Sequence, residues 1–246
     1  MPFDPKYTYL LLDVFTIFFP FVLSFDKKVA FFRHWWRLFP AIAITGTVFI
    51  IWDHFFTVAD LTFEAAGQAW TGVWNFNPEY LTGLYLFHLP IEEILFFLVV
   101  PYACVFIYEV LKAYVKKDIL APAVPYLNAI VIVGALVAGI AAWGKLYPMI
   151  TFLSLAAFVA LVWMLRVKFM GRFYAMYFVH LIPFYTVNGV LTGLPVVVYN
   201  NSENFGVRVF SVPIEDGFYS MLLLLMNITI YEYLNRSRNK KEVTTR

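Results

Sequence analysis

Two short blocks place acidic side chains where carbon chemistry could use them. They are Pro-Ile-Glu-Glu at 90–93 and Pro-Ile-Glu-Asp at 213–216, each heading a long apolar run: "FHLPIEEILFFLVVPYACVFIYEVL" (87–111) and "FSVPIEDGFYSMLLLLMNITIYEYL" (210–234). Burial and a like-charged neighbour both favour the neutral form of a carboxyl group, so a paired set can keep one member protonated while another accepts a proton. Glu92, Glu93, Glu215 and Asp216 are therefore the candidate acid–base residues. A plainer reading stands beside it. Proline suits the first turn of a helix and acids suit its positive end, so each block could simply start a helix at a water interface. Against that stand the recurrence of the acids, the apolar "LYLFHL" (84–89) before Pro90, and the convergence of Asp53 and Asn188 on the same depth.

The elements that must position these acids follow from composition. Hydrophobic residues make up 62% of the chain, aromatics 20% and charged residues only 14%, with a mean hydropathy of +0.74. That is more apolar surface than a soluble domain buries, so an all-α integral membrane protein is expected. Apolar runs at about 8–24, 38–57, 84–111, 126–144, 147–165, 173–193 and 213–234 give seven spans, each near the ~20 residues needed to cross a bilayer. The break between the fourth and fifth is the shortest. With the N-terminus outside, the inner segments collect Lys27, Lys28, Arg33, Arg37, Lys112, Lys116, Lys117, Arg166, Lys168, Arg172 and the basic tail 236–246. Only Lys6, Lys145 and Arg208 are left for the outer side. This bias predicts an N-out, C-in topology. The net charge of +2 thus reports topology and gives no sign of nucleic-acid binding. The N-terminus has no basic n-region and no small-residue cleavage site, and is read as a retained first helix.

An internal repeat organises the spans. At an offset of 123, Asn77, Gly83, Phe87, Pro90, Ile91, Glu92, Ile107, Tyr108, Glu109 and Leu111 find identical residues at Asn200 through Leu234, while Glu93 faces Asp216 and Phe96 faces Tyr219. The division expected is a first repeat at 1–117 (spans 1–3), a linker helix within 118–146, a second repeat at 147–235 (spans 5–7) and a basic tail at 236–246. The linker crossing makes the repeats parallel and brings both acidic blocks in from the same outer side. Asp53, ending the second span, and Asn188, ending the sixth, arrive at that depth, with Asn77 and Asn200 just ahead of the acids. Asp13 in the first span is a further candidate for this region. These are the supporting polar residues. Of the many aromatic rings, most are read as lipid-facing or interfacial packing. Trp52, Phe96, Phe97, Phe218 and Tyr219, beside the acids, are the candidates to line a site.

Other chemistries find less support. His34, His54, His88 and His180 are scattered, and the single Cys104 excludes an internal disulfide or a cysteine-based cluster, so no metal site is expected. No G-x-G-x-x-G follows a strand, so no dinucleotide cofactor is expected. Glu109 and Glu232, near Lys112 and Arg236 at the inner helix ends, read as solvated or paired anchors. A retinal-binding protein is disfavoured because the span 213–234 holds no lysine.

The combination of "WNFNPEYLTGLYLFHLPIEEILFFLVVPYACVFIYE" with "TVNGVLTGLPVVVYNN" and "GVRVFSVPIEDGFYSMLLLLMNITIYE" resembles the membrane lycopene cyclases of the duplicated type, found as paired small subunits or fused into one chain. The second unit departs from the first in having Asn201 where Pro78 stands and Asp216 for Glu93. The resemblance implies a lycopene cyclase of carotenoid biosynthesis. Such an enzyme protonates a ψ end group at C2, closes the C1–C6 bond and removes a proton from C6 to leave a β ring, reaching β-carotene via γ-carotene without electron exchange. It further implies a multi-pass protein of the cell membrane, a lipid-soluble carotenoid substrate, no redox cofactor for the chemistry, and contact with other membrane enzymes of the pathway. Consecutive helix residues diverge, so the working pair could be Glu92 with Glu215 across the repeats. Nearby rings would stabilise the cation and exclude water. Two alternatives remain open on sequence alone: a hydratase that lets water capture the cation, and a proton-coupled transporter built on intramembrane carboxylates.

Overall fold

The computed structural model describes residues 4–57 and 72–244, with side chains as far as Asn235, so the basic side chains of the 236–246 tail lie outside the described residues. Among the described residues seven α-helices dominate: α1 (Thr8–Leu23), α2 (Trp35–Phe56), α3 (Ile91–Tyr114), α4 (Val124–Ala141), α5 (Leu146–Met164), α6 (Met170–Gly193) and α7 (Ile214–Thr244). Six of the corresponding helical segments are long and apolar enough to cross a membrane. The remaining one, α6, is as long as α3 at 24 residues but carries Arg172, His180 and Asn188, which lower its hydropathy. Short helical connections are the rule, and α4 turns into α5 at Gly144, whose φ of +91° lies in the left-handed region that glycine adopts without strain. The α4–α5 pair packs closely because Gly139 has no side chain. A Cβ there would lie 2.8 Å from Leu153 carbons.

The third span begins later than its hydropathy predicts. Residues 84–90 are apolar, yet they form a two-stranded hairpin, β2 (Tyr85–Leu86) with β3 (Leu89–Pro90), turned by Phe87 and His88 at φ of 51° and 57°. Left-handed residues at both central positions reverse a hairpin tightly. The second repeat builds the same device from β5 (Arg208–Val209) and β6 (Val212–Pro213), with Phe210 at φ 56°. Hydropathy misplaces the boundary because the tips carry exposed apolar side chains. Phe87 is 71% and Phe210 86% exposed.

The repeat is written into the contacts between the halves. Strand β1 (Trp74–Phe76) pairs antiparallel with β4 (Val197–Tyr199), matching Trp74 with Tyr199, Asn75 with Val198 and Phe76 with Val197. At the offset of 123 this register maps onto itself, as a two-fold contact must. At the opposite end of the bundle Tyr108 donates to Glu232 and Tyr231 donates to Glu109, each at 2.8 Å, so equivalent residues exchange equivalent bonds. Lys112 bridges both glutamates at 2.9 Å, and buried Arg37 of α2 approaches Glu109 at 3.5 Å. These glutamates are buried and paired, with Lys112 as expected and with Arg37 joining from α2. The central core, rich in Leu222–Leu225, Val105 and Phe173, lies between this latch and the acid-bearing end.

Candidate functional site

Each acidic block divides its labour between neighbouring residues. Glu92 and Glu215 are fully buried and turn toward the loop that precedes their helix. Glu92 Oε1 accepts from the Thr82 amide at 2.7 Å, and Glu215 Oε1 accepts from the Phe205 amide at 2.6 Å. Thr82 and Phe205 are equivalent at the repeat offset, so both glutamates are the same structural staple. One residue on, about 100° around the helix, Glu93 and Asp216 turn instead into a shared cavity. The structure therefore joins Glu93 with Asp216 across the repeats, in place of Glu92 with Glu215.

Tyrosines from other elements hold the two inward acids. Tyr9 of α1 donates to Glu93 Oε2 at 2.5 Å. Asp216 receives two such bonds, from Tyr147 of α5 to Oδ1 at 2.6 Å and from Tyr199 of β4 to Oδ2 at 2.7 Å. Tyr199 lies in the connection outside the spans, where burial and then the Asp216 charge hold its hydroxyl well above the usual tyrosine value, so it remains a donor. Tyr9 and Tyr147 open the first helix of their respective repeats and occupy matching places in the bundle.

The cavity has a volume of about 60 Å³, enough for a few water molecules. Asp53 borders it from the end of α2, accepting at Oδ1 from the Trp74 indole at 2.7 Å, while its buried Oδ2 has no hydrogen-bond partner among the described residues. Asn188 borders it at the equivalent place on α6, with its amide nitrogen donating back to the Phe184 carbonyl. Tyr219 forms an aromatic wall with edge-on contacts to Phe49 at 5.0 Å, Trp52 at 5.4 Å and Trp74 at 6.1 Å between ring centroids. Among the described residues, no group of three or more His, Cys, Asp or Glu is arranged to hold a metal ion.

Several expected residues fall elsewhere. Phe96 and Tyr219 line the cavity, but Trp52 stands behind Tyr219, stacked on Phe49. Phe97 packs in the core against Phe49, and Phe218 packs against Phe152. Asn77 and Asn200 shape their own turns instead of touching the acids. Asn77 Oδ1 accepts from the Glu79 amide, and Asn200 accepts from Ser202 while donating to the Gly72 carbonyl. Asp13 is buried one turn beyond Tyr9, outside the cavity lining. Sequence reasoning missed Tyr9, Tyr147, Tyr199 and Trp74. The available signals were modest: Tyr9 sits four residues before buried Asp13, and Trp74 and Tyr199 occur inside the motifs that carry the resemblance.

The family model for lycopene cyclase matches residues 6–111 and 144–234, and the chain belongs to the lycopene cyclase family. The two matched segments hold α1–α3 and α5–α7 and leave out α4. No curated protein and no solved structure gives a match. The chain is thus a multi-pass membrane enzyme of the carotenoid cyclase type, working on a carotenoid in a lipid environment.

Proposed function

We propose that this family member closes the ψ end groups of lycopene into β rings by proton transfer alone, with Glu93 as acid and Asp216 as base. The observation that carries the assignment is the unequal bonding of two carboxyl groups facing one small, mostly apolar cavity. Asp216 accepts a tyrosine hydrogen bond at each oxygen, which suits the ionised, acceptor-only form. Glu93 accepts at Oε2 from Tyr9, leaving Oε1 to hold the proton that is delivered. Protonation at C2 places a cation at C1. The C5–C6 double bond attacks it, forming the C1–C6 bond and moving the cation to C5. Asp216 then takes the C6 proton and the C5–C6 double bond is restored. One proton enters and one leaves, so electrons balance within the substrate and the chemistry itself calls for no redox cofactor.

The remaining residues support that sequence. Asp53, fixed by Trp74, places a carboxyl dipole beside the developing cation, and the faces of Tyr219, Trp74 and Phe96 offer cation–π stabilisation. Glu92 and Glu215 act as positioning residues by fixing the loops that cover the site. The gathering of basic residues toward the opposite end supports an orientation with the acid-bearing end on the outer side of the cell membrane. The test is expression in cells that accumulate lycopene, followed by chromatography and mass spectrometry of the pigments. Products of unchanged mass with γ-carotene or β-carotene spectra are expected. Addition of water would assign a hydratase instead, and unaltered lycopene with the protein verified in the membrane would overturn the enzymatic reading in favour of a transporter.

A further inference from the structure

A cavity of about 60 Å³ cannot contain even the end group of a carotenoid, whose full length is comparable to the ~30 Å hydrocarbon core of a bilayer. The acid-bearing end of the bundle is roofed by the β1–β4 ribbon and flanked by the two hairpins. A rod-like polyene must therefore reach the acids from the side, through a seam between helices.

The two repeats offer unequal seams. In the first, α2 lies closely along α3, and a Cβ on Gly46 would meet the Phe97 carbonyl at 3.6 Å. Arg37 with Arg172 and Asp53 with Asn188 align α2 on α6 at an offset of 135, which puts Leu181 where Gly46 stands. A leucine stands in place of that glycine, and α6 meets α7 over only a short stretch. Pro183 follows, and it lacks the backbone donor that would reach the Val179 carbonyl, loosening α6 at the same level. On the lipid side of this place runs an apolar groove of about 360 Å³ formed by Leu181, Ile182, Tyr185, Thr186 and the hairpin tip Phe210. On the inner side Phe184 lines the acid-bearing cavity. The Phe184 and Tyr185 rings meet edge to face at 5.2 Å and form the partition between groove and cavity. Gly217, next to Asp216, leaves room for Tyr185. A Cβ there would lie 3.3 Å from the Tyr185 hydroxyl.

We propose that this groove is the lateral port for a linear polyene hydrocarbon, with Phe184 and Tyr185 as its gate and Ile182 and Phe210 as its outer guides. The inference rests on the cyclase reading, because it is the chemistry at Glu93 and Asp216 that requires the polyene end inside. Two measurements test it. Ile182 is 75% exposed, so Ile182→Trp fills the groove without disturbing the core, whereas Ile130→Trp on α4, at a site 67% exposed, is the control. Ile182→Trp is expected to raise KM for lycopene about tenfold with kcat unchanged, the signature of lost access and binding, and Ile130→Trp is expected to leave both alone. In the second, Glu93→Gln protein carries a fluorophore on a single cysteine introduced by either Ile182→Cys or Ile130→Cys. Cys104 is buried and stays unlabelled. Lycopene is expected to quench the label at position 182 and not the one at position 130. Wild-type protein that forms no cyclic product overturns the cyclase reading. Normal cyclisation with an unaffected Ile182→Trp variant and equal quenching at both sites overturns the port alone.

Discussion

Adjacent residues with opposite duties provide a sharp test. Glu215→Gln and Asp216→Asn each replace one charged oxygen by an amide, one residue apart on the same helix. In Asp216→Asn the amide oxygen can still accept from one tyrosine, and the amide nitrogen can donate to the other tyrosine's oxygen, so the side chain keeps its place. What is lost is the ability to take a proton. Loss of a positioned general base costs about 10²–10⁴-fold in rate, and unfolding is expected to change little. Glu215→Gln does the reverse. Its amide oxygen still accepts from Phe205, but a bond to a charged acceptor becomes a neutral one, and the new NH₂ takes the place of buried Oε2, which has no partner among the described residues. The weaker bond to Phe205 costs about 1 kcal/mol, which lowers Tm by about 2–4 °C in a chain of this size. The assay is lycopene conversion by purified protein in detergent, followed by chromatography, beside thermal unfolding of the same samples. Activity of Asp216→Asn close to wild type would refute the assignment. So would a Glu215→Gln protein that unfolds like wild type but has lost turnover to the same degree.

Three further outcomes follow. Tyr199→Phe removes one of the two donors on Asp216, and loss of a hydrogen bond to a charged group of about 1.5–3 kcal/mol is expected to alter the pH profile of kcat, whereas Phe96→Leu is expected to leave the profile unmoved. Asp53→Asn is expected to lower kcat by about tenfold if the Asp53 carboxyl group contributes about 1.4 kcal/mol to the transition state, while Asn188→Ala, at the equivalent place in the other repeat, is expected to change kcat less. At the opposite end of the bundle, Lys112→Met leaves Glu109 and Glu232 short of a cation and is expected to destabilise the protein by about 3 kcal/mol with kcat intact; equal loss of activity and stability would link the latch to the chemistry.

Hydropathy and charge made the bundle legible because the bilayer allows few solutions: long apolar helices and basic residues gathered on one side. The same signal misread 84–90, since Leu84, Leu86 and Phe87 are apolar without being helical, and only the left-handed turn at Phe87–His88 separates hairpin from helix. The acidic blocks were legible as a motif, but the facing of their members was not. A helix assigns Glu92 and Glu93 to different sides, and which side meets the cavity depends on how α3 is rotated against α1, α2 and α6, a matter of long-range packing. The tyrosines escaped for the same reason. Tyr9 is 84 residues from Glu93, and Tyr147 is 69 from Asp216, so no local spacing connects them.

Duplication explains how one chain comes to hold two inward carboxyl groups at matching depth. Two parallel repeats related by an approximate two-fold must each deliver a carboxylate at the same helical position, and Glu93 and Asp216 do so. A symmetric pair would be two identical groups, each equally ready to give or take a proton. Divergence at the surrounding equivalent positions removes that degeneracy. Phe76 in one half is Tyr199 in the other and supplies Asp216 with its second donor. Asp53 is matched by Asn188, so the extra carboxyl group stands in one half only, and Phe96 is matched by Tyr219. In the backbone frame the symmetric features persist: the β1–β4 register, the Glu92 and Glu215 staples, and the crossed Tyr108 and Tyr231 bonds. The frame has kept its two-fold where it bears structure and lost it around the two carboxyl groups, where the proposed proton transfer would need a direction.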